Sequence, residues 1–251
     1  MKHVIIIGHP KREKRTLSIE NKKYEISFDK FKSEKHNEDP FIWNDSFLYT
    51  FCHTNDSLSK DVREWIEPKE EKEEKEKVYF VFVSKAKDEN NKEILEIDTI
   101  IKAKELYKWP EKGQRNKEIL PKIFNPKIKN YHLPDFYDGN LTEHNKKNIY
   151  TCIGDETESF LPMKEKGDSF KPYYFDENIA NKILSLITVE NNHAYYVAKE
   201  TSPRLQSDES KEIFKEISKE IFDIITNCKQ DKTTHLTGKL LKDLDMDHRK
   251  K

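Results

Sequence analysis

Residues 78–109 read VYFVFVSKAKDENNKEILEIDTIIKAKELYKW, and this stretch decides what kind of fold the chain can adopt. Val78 to Ser84 is dense in β-branched and aromatic side chains, which suit a pleated and buried surface. Lys87 to Lys92 is rich in Asp and Asn, residues that make turns by bonding their own backbone. Ile94 to Ile101 then returns as a second apolar run. Two such runs joined by a short polar turn predict an antiparallel hairpin at the centre of a sheet.

Upstream, the chain opens MKHVIIIGHP, an aliphatic strand ending in Gly8-His9-Pro10. A strand of this kind serves a flavin phosphate only if it delivers the chain to a helix N-terminus, whose free N–H groups and dipole hold the anion. No such helix is predicted. Leu17 and Ile19 alternate with polar residues, Asn21 to Lys23 has turn composition, and Tyr24, Ile26 and Phe28 alternate again, which is the period of a β-hairpin. The Gly-His-Pro element therefore reads as the end of a strand, and no cofactor is expected there. Further on, Phe47 to Cys52 reads as a strand and Thr54 to Ser57 as a turn. Leu58, Val62, Trp65 and Ile66 then share a helical face, with Ser57 as N-cap and Pro68 beyond the end. KEEKEEKEK (69–77) has nothing to bury and reads as a connector.

Downstream, Pro110, Pro121, Pro126 and Pro134 break any regular pattern. Asn148 to Ile153 predicts a strand and GDETESFLPM (154–163) a turn. Asp176 suits the cap of a short helix carrying Ile179, Ile183, Leu186 and Ile187, and His193 to Lys199 suits a last strand. DESKEIFKEISKEIFDIITNC (208–228) is an amphipathic helix with Ile213, Ile217, Ile221, Ile224 and Ile225 as its stripe. Strands come first and helices late, so the prediction is one α+β domain over 1–228, built on a mixed, largely antiparallel sheet. Residues 229–251 read as a flexible, slightly basic tail.

The chain has 251 residues and a net charge of −1. That near-neutrality hides local imbalance: residues 102–130 carry nine Lys or Arg against three acids, and residues 11–35 carry nine against five. Clustered positive charge suits a phosphate backbone. Cys52, Cys152 and Cys228 are widely spaced, form no CxxC, and read as buried thiols of a reducing compartment. No apolar run is long enough for a signal-peptide core or for the roughly 20 residues that span a bilayer. The expectation is a cytoplasmic protein with no membrane partner.

Three constellations carry chemistry. His53 and Asp56 lie at a strand end, where an imidazole and a carboxylate can share acid–base work; a local turn explains the same residues. His132, Asp135 and Asp138, followed by Glu143 and His144, form the densest set of metal-ligand types, suited to a divalent ion in phosphodiester hydrolysis. A Pro-Asp pair is half of a restriction-type nuclease signature, but the acid–x–Lys half is absent from NIYTCIG. Lastly, Tyr107, Trp109 and Tyr131 are interleaved with Lys104, Lys112, Arg115, Lys127 and Lys129. Stacking faces among cations are what unpaired bases require.

Residues 78–109 together with NIYTCIGDETESFLPM (148–163) resemble the nucleotide-modification-associated domains of bacterial and phage mobile systems, whose architecture is related to PUA-like and ASCH-like β-folds. The likeness spans about residues 45–165. It implies a PUA-like sheet and the handling of modified nucleotides in defence or in mobile elements. The expected function is thus nucleic-acid or nucleotide binding, with an enzyme acting on the same molecules as the alternative. A further alternative is an interaction subunit that docks a protein partner through the 208–228 helix.

Overall fold

In a computed structural model, which describes residues 2–9, 13–28, 40–43, 45–50, 56–67, 76–108, 150–187, 195–198, 205, 207–231 and 233–243, the quoted stretch forms the central ladder. Strand β6 (Lys77–Lys87) turns through Asp88 to Lys92 and pairs antiparallel with β7 (Glu93–Lys108). The turn closes as its composition predicts, because the Asp88 carboxylate accepts from the N–H groups of Asn90 and Lys92. Nearly every side chain from Val78 to Val83 and from Leu95 to Ile101 is buried, so both faces of this hairpin need cover.

The sheet grows outward from it. Strand β1 (Lys2–Gly8) lies parallel to β6, and β11 (Tyr195–Ala198) closes that side antiparallel to β1. On the other side come β9 (Phe160–Lys166), β10 (Ser169–Pro172), β3 (Lys22–Phe28) and β2 (Glu13–Ile19). A branch leaves β7 through β8 (Tyr150–Gly154) to β5 (Ser46–Thr50) and β4 (Phe41–Trp43). Of the described pairings only β1–β6 and β10–β3 are parallel, which makes this the mixed, largely antiparallel sheet of an α+β protein.

One face is covered by helices. Helix α2 (Glu177–Leu186) starts where Asp176 accepts from the Ile179 N–H, and α3 (Asp208–Gln230) starts at the Ser207 cap. Phe214, Ile217, Ile221, Ile224, Ile225 and Cys228 of α3 are buried against Val4, Ile6, Tyr79, Val81, Ile97 and Ile100. The stripe that suggested a docked protein partner is therefore used within the chain. Phe214 belongs to it and Ile213 sits at its margin.

The other face is covered by the sheet itself. Leu17, Tyr24, Ile26, Phe170 and Met163 from the β9–β10–β3–β2 arm share one core with Ile5, Ile7, Phe80 and Phe82, joined by Leu58, Val62 and Ile66 of α1 (Asp56–Ile66). That contact requires the sheet to curl until its far arm lies over its centre. Lys14 of β2 accordingly reaches Glu96 of β7, although β3, β10 and β9 separate the two strands along the sheet.

Several expectations are corrected. The first hairpin turns at Glu20 and Asn21, both at positive φ (47° and 66°), rather than at Asn21 to Lys23; a two-residue turn whose twist matches the strands requires that pair of conformations. Ser57 lies inside α1 rather than capping it. Phe160 to Met163 is strand, not turn, because it fills the centre between β7 and β10. The described part of the expected tail is built into the fold: α3 runs on to Gln230, and residues 233–243 carry β12 (His235–Thr237), paired with β9, and α4 (Gly238–Asp243), with Leu236 and Leu241 fully buried in the inner core. A charged segment with few leucines has no visible stripe of its own, and the groove that receives those leucines exists only after the sheet has curled. Residues 244–251 lie outside the described residues.

Leu236→Ala is expected to lower unfolding free energy by about 3 kcal/mol, as for other large-to-small core substitutions. Urea denaturation checks it; an unchanged midpoint would return the segment to the status of a tail.

Candidate nucleic-acid interface

Of the residues singled out from the sequence, the structure describes Lys104 and Tyr107 on β7 and the backbone of Asp56 at the start of α1. His53, Trp109, Lys112, Arg115, Lys127, Lys129, Tyr131, His132, Asp135, Asp138, Glu143 and His144 lie outside the described residues, as does Cys52. The first part of the basic segment is strand: Glu105 to Lys108 pair with β8, Leu106 standing opposite Cys152. Lys104 is left as the extra residue where the β7–β8 register slips between Ala103 and Glu105. Such a bulge re-aims a side chain out of the ladder, and Lys104 meets Glu156 at 3.0 Å.

At the same end of the sheet, side chains far apart in sequence come together. Strand alternation puts Lys2, Lys77 and Lys102 on one face of three adjacent strands, in line with the buried Val4, Tyr79 and Ile100. Lys2 and Lys77 are direct cross-strand neighbours. The end of α3 adds Lys229, whose ammonium lies 5.9 Å from the Tyr79 ring centroid and 2.8 Å from Glu158. Lys102 pairs with the same Glu158 and approaches Asp155 at 3.8 Å. Burial, opposed by Asp155 and aided by the neighbouring ammonium groups, lowers the affinity of Lys102 and Lys229 for their protons. Like charges on adjacent strands are destabilising, so this grouping costs stability that a stabilising fold would not spend.

The acidic side of the cluster comes from a tight loop. Asp155 accepts from the N–H groups of Thr157 and Glu158 and from the Thr157 hydroxyl. Against the burial that would raise it, those bonds hold its carboxyl below the ordinary value. Ser159 anchors the loop to β7 by accepting from the Lys102 N–H at 3.1 Å. Gly154 makes the approach feasible, because a Cβ there would lie 2.6 Å from the Ser159 hydroxyl and 2.9 Å from the Phe47 carbonyl. Two rings flank the lysines: Phe222, 5.1 Å from the Lys2 ammonium, and His235, whose ring is tilted against Phe160 at 4.2 Å between centroids. Burial, then Lys229, lowers His235 to about 4, which keeps it neutral near pH 7.

A second group of polar side chains lies inside the curl, at the opposite end of β1. His9 follows the strand, and its N–H bonds the Val83 carbonyl at 2.9 Å, which extends the parallel ladder by one residue. Its imidazole is buried 3.5 Å from Asp98, also buried. Asp98 is the extra residue where β7 slips register against Phe82 and Val83, and it accepts from the Thr99 hydroxyl at 2.7 Å. Beside them Lys14 joins Glu96 at 2.5 Å and Glu25 at 3.1 Å. Burial, opposed by Lys14, drives the Glu96 carboxyl upward. Alternation cannot disclose this group, since the bulge at Asp98 turns two successive residues of β7 to one side. The only sequence signal was His9 in the Gly-His-Pro element, where β2, a strand, takes the place a phosphate-binding helix would need.

Cys152 and Cys228 are buried free thiols, and burial raises both, Cys228 to about 11. Among the described residues no three His, Cys, Asp or Glu side chains converge on a metal-sized site, and no helix is long and apolar enough to cross a membrane.

The pair inside the curl has a pH signature. A carboxyl whose folded-state value lies above its unfolded value near 4.5 penalises the fold at high pH, and the penalty disappears as pH falls through that range. Removing Lys14 enlarges the penalty. Lys14→Met is therefore expected to lose about 2 kcal/mol at neutral pH, with the deficit shrinking as pH falls toward 4.5. Thermal unfolding across that range checks it; a pH-independent deficit would mean that Lys14 contributes packing alone. No family model, curated protein or solved structure matches this chain.

Proposed function

We propose that the protein binds nucleic acid or nucleotides through the end of the sheet where β1 and β6 begin and β7 runs out toward residue 109. The observation that carries the reading is the convergence of Lys2, Lys77, Lys102 and Lys229 from four separate elements onto one face. Phosphates supply the negative charge that such a grouping lacks. Strand β7 connects this face directly to residues 109–131, where Trp109, Lys112, Arg115, Lys127, Lys129 and Tyr131 follow in sequence. Cations there would hold the backbone, and rings would stack on unpaired or modified bases. The resemblance to nucleotide-modification-associated domains favours the same class of ligand.

Fluorescence anisotropy with single-stranded and duplex oligonucleotides at two salt concentrations tests the reading. Binding is expected at low salt and should weaken steeply as salt rises. Lys127→Ala with Lys129→Ala should weaken all sequences alike and flatten the salt dependence by roughly one unit of slope per lost phosphate contact. Trp109→Ala should cost about 1–3 kcal/mol on single strands at unchanged melting temperature. Absence of binding to either form at low salt would overturn the proposal.

A further inference from the structure

A phosphodiester backbone spreads single negative charges along a strand, and a surface that follows it spreads its cations likewise. The lysines here are gathered instead. Lys77 lies within electrostatic reach of both Lys102 and Lys229, and those two share one carboxylate, Glu158. Lys104 and Glu156 pair with each other at the edge of the group and add no net charge to it. Among the described residues, four ammonium groups, Lys2, Lys77, Lys102 and Lys229, then face two carboxylates, Asp155 and Glu158, which leaves two positive charges in one place. Lys229 is not consumed in ending its helix, because the Cys228 carbonyl already accepts from the Asp231 N–H and the Thr234 hydroxyl.

Resting on the reading above, we infer that this group is a seat for a terminal phosphate: a phosphomonoester or pyrophosphate, as found at the end of a nucleic-acid strand or on a free nucleotide. A phosphomonoester carries about two negative charges near neutral pH, which matches the two unbalanced positive charges, whereas an internal phosphodiester carries one. The three neighbouring strands hold Lys2, Lys77 and Lys102 at fixed spacing, so a compact dianion can be met from several sides at once. The half-buried Phe222 ring beside Lys2 borders the same seat and gives a base attached to that phosphate an apolar face.

The test compares a terminally phosphorylated single strand with its hydroxyl-ended counterpart by anisotropy at about 0.15 M salt. In parallel, inorganic pyrophosphate and ATP are titrated by thermal shift and calorimetry. The phosphorylated strand is expected to bind about tenfold tighter, a difference typical of charge-assisted contacts, and Lys77→Gln with Lys229→Gln should abolish that advantage. Lys2→Gln, at an exposed strand start, serves if the double variant unfolds. Equal affinity for both strand ends, with no stabilisation by pyrophosphate or ATP, overturns the inference while leaving general nucleic-acid binding intact. Stabilisation by pyrophosphate or ATP with no binding of either strand supports the seat, assigns it to free nucleotides and removes the nucleic-acid reading. In each case loss of the effect in the lysine variants ties it to this group.

Discussion

The β6–β7 hairpin is apolar on both faces, and the rest of the architecture answers that constraint. A two-sided strand pair exposed to water on either side would forfeit the burial that stabilises it. One side is covered by α2 and α3, whose isoleucines pack on Val81, Ile97 and Ile100. Among the described residues no second helical layer covers the other side; the sheet bends its own β9–β10–β3–β2 arm across it, and α1, β12 and α4 fill the remaining gaps. The long-range joins that hold the curl, Lys14 to Glu96 and the pairing of β12 with β9, follow from that need.

Charge is arranged around the same frame. Where β1 and β6 begin, the cover of α3 ends, and the outward positions of three strands carry lysine rather than aliphatic residues. Where β1 ends, the opposite face of the same strands lies inside the curl, and His9, Glu96 and Asp98 are enclosed there. Each end owes one of its residues to an irregularity in β7, Lys104 at one and Asp98 at the other. A single long strand with two slips in register thus serves two different environments, which a regular strand could not do.

Buried ionic groups seldom stabilise a fold more than apolar residues of the same size would. The Lys14–Glu96 pair and the His9–Asp98 contact are therefore poor explanations of stability as such. What they do is join strands that are not paired with each other: β2 to β7 across the curl, and the end of β1 to β7 over the intervening β6. The lysine end is different in kind, since its charges repel across neighbouring strands and, among the described residues, the acids beside them are fewer than the lysines.

Local pattern alone determined the elements whose stabilising contacts lie nearby in sequence. The β6–β7 hairpin, the β2–β3 hairpin, the Asp176 cap and the stripe of α3 are all legible because period, turn chemistry and capping are short-range properties. The mixed, largely antiparallel sheet followed from their order. The tertiary structure decided what depends on distant partners: that FLPM and residues 235–237 are strands, that the sheet curls, and that Asp98 and Lys104 leave their ladders. It also brought Lys2, Lys77, Lys102 and Lys229 to one face, although up to 227 positions separate them in the chain. Read singly, each is one more lysine on a charged surface, because nothing within a few residues of any of them records which strand or helix will lie beside it.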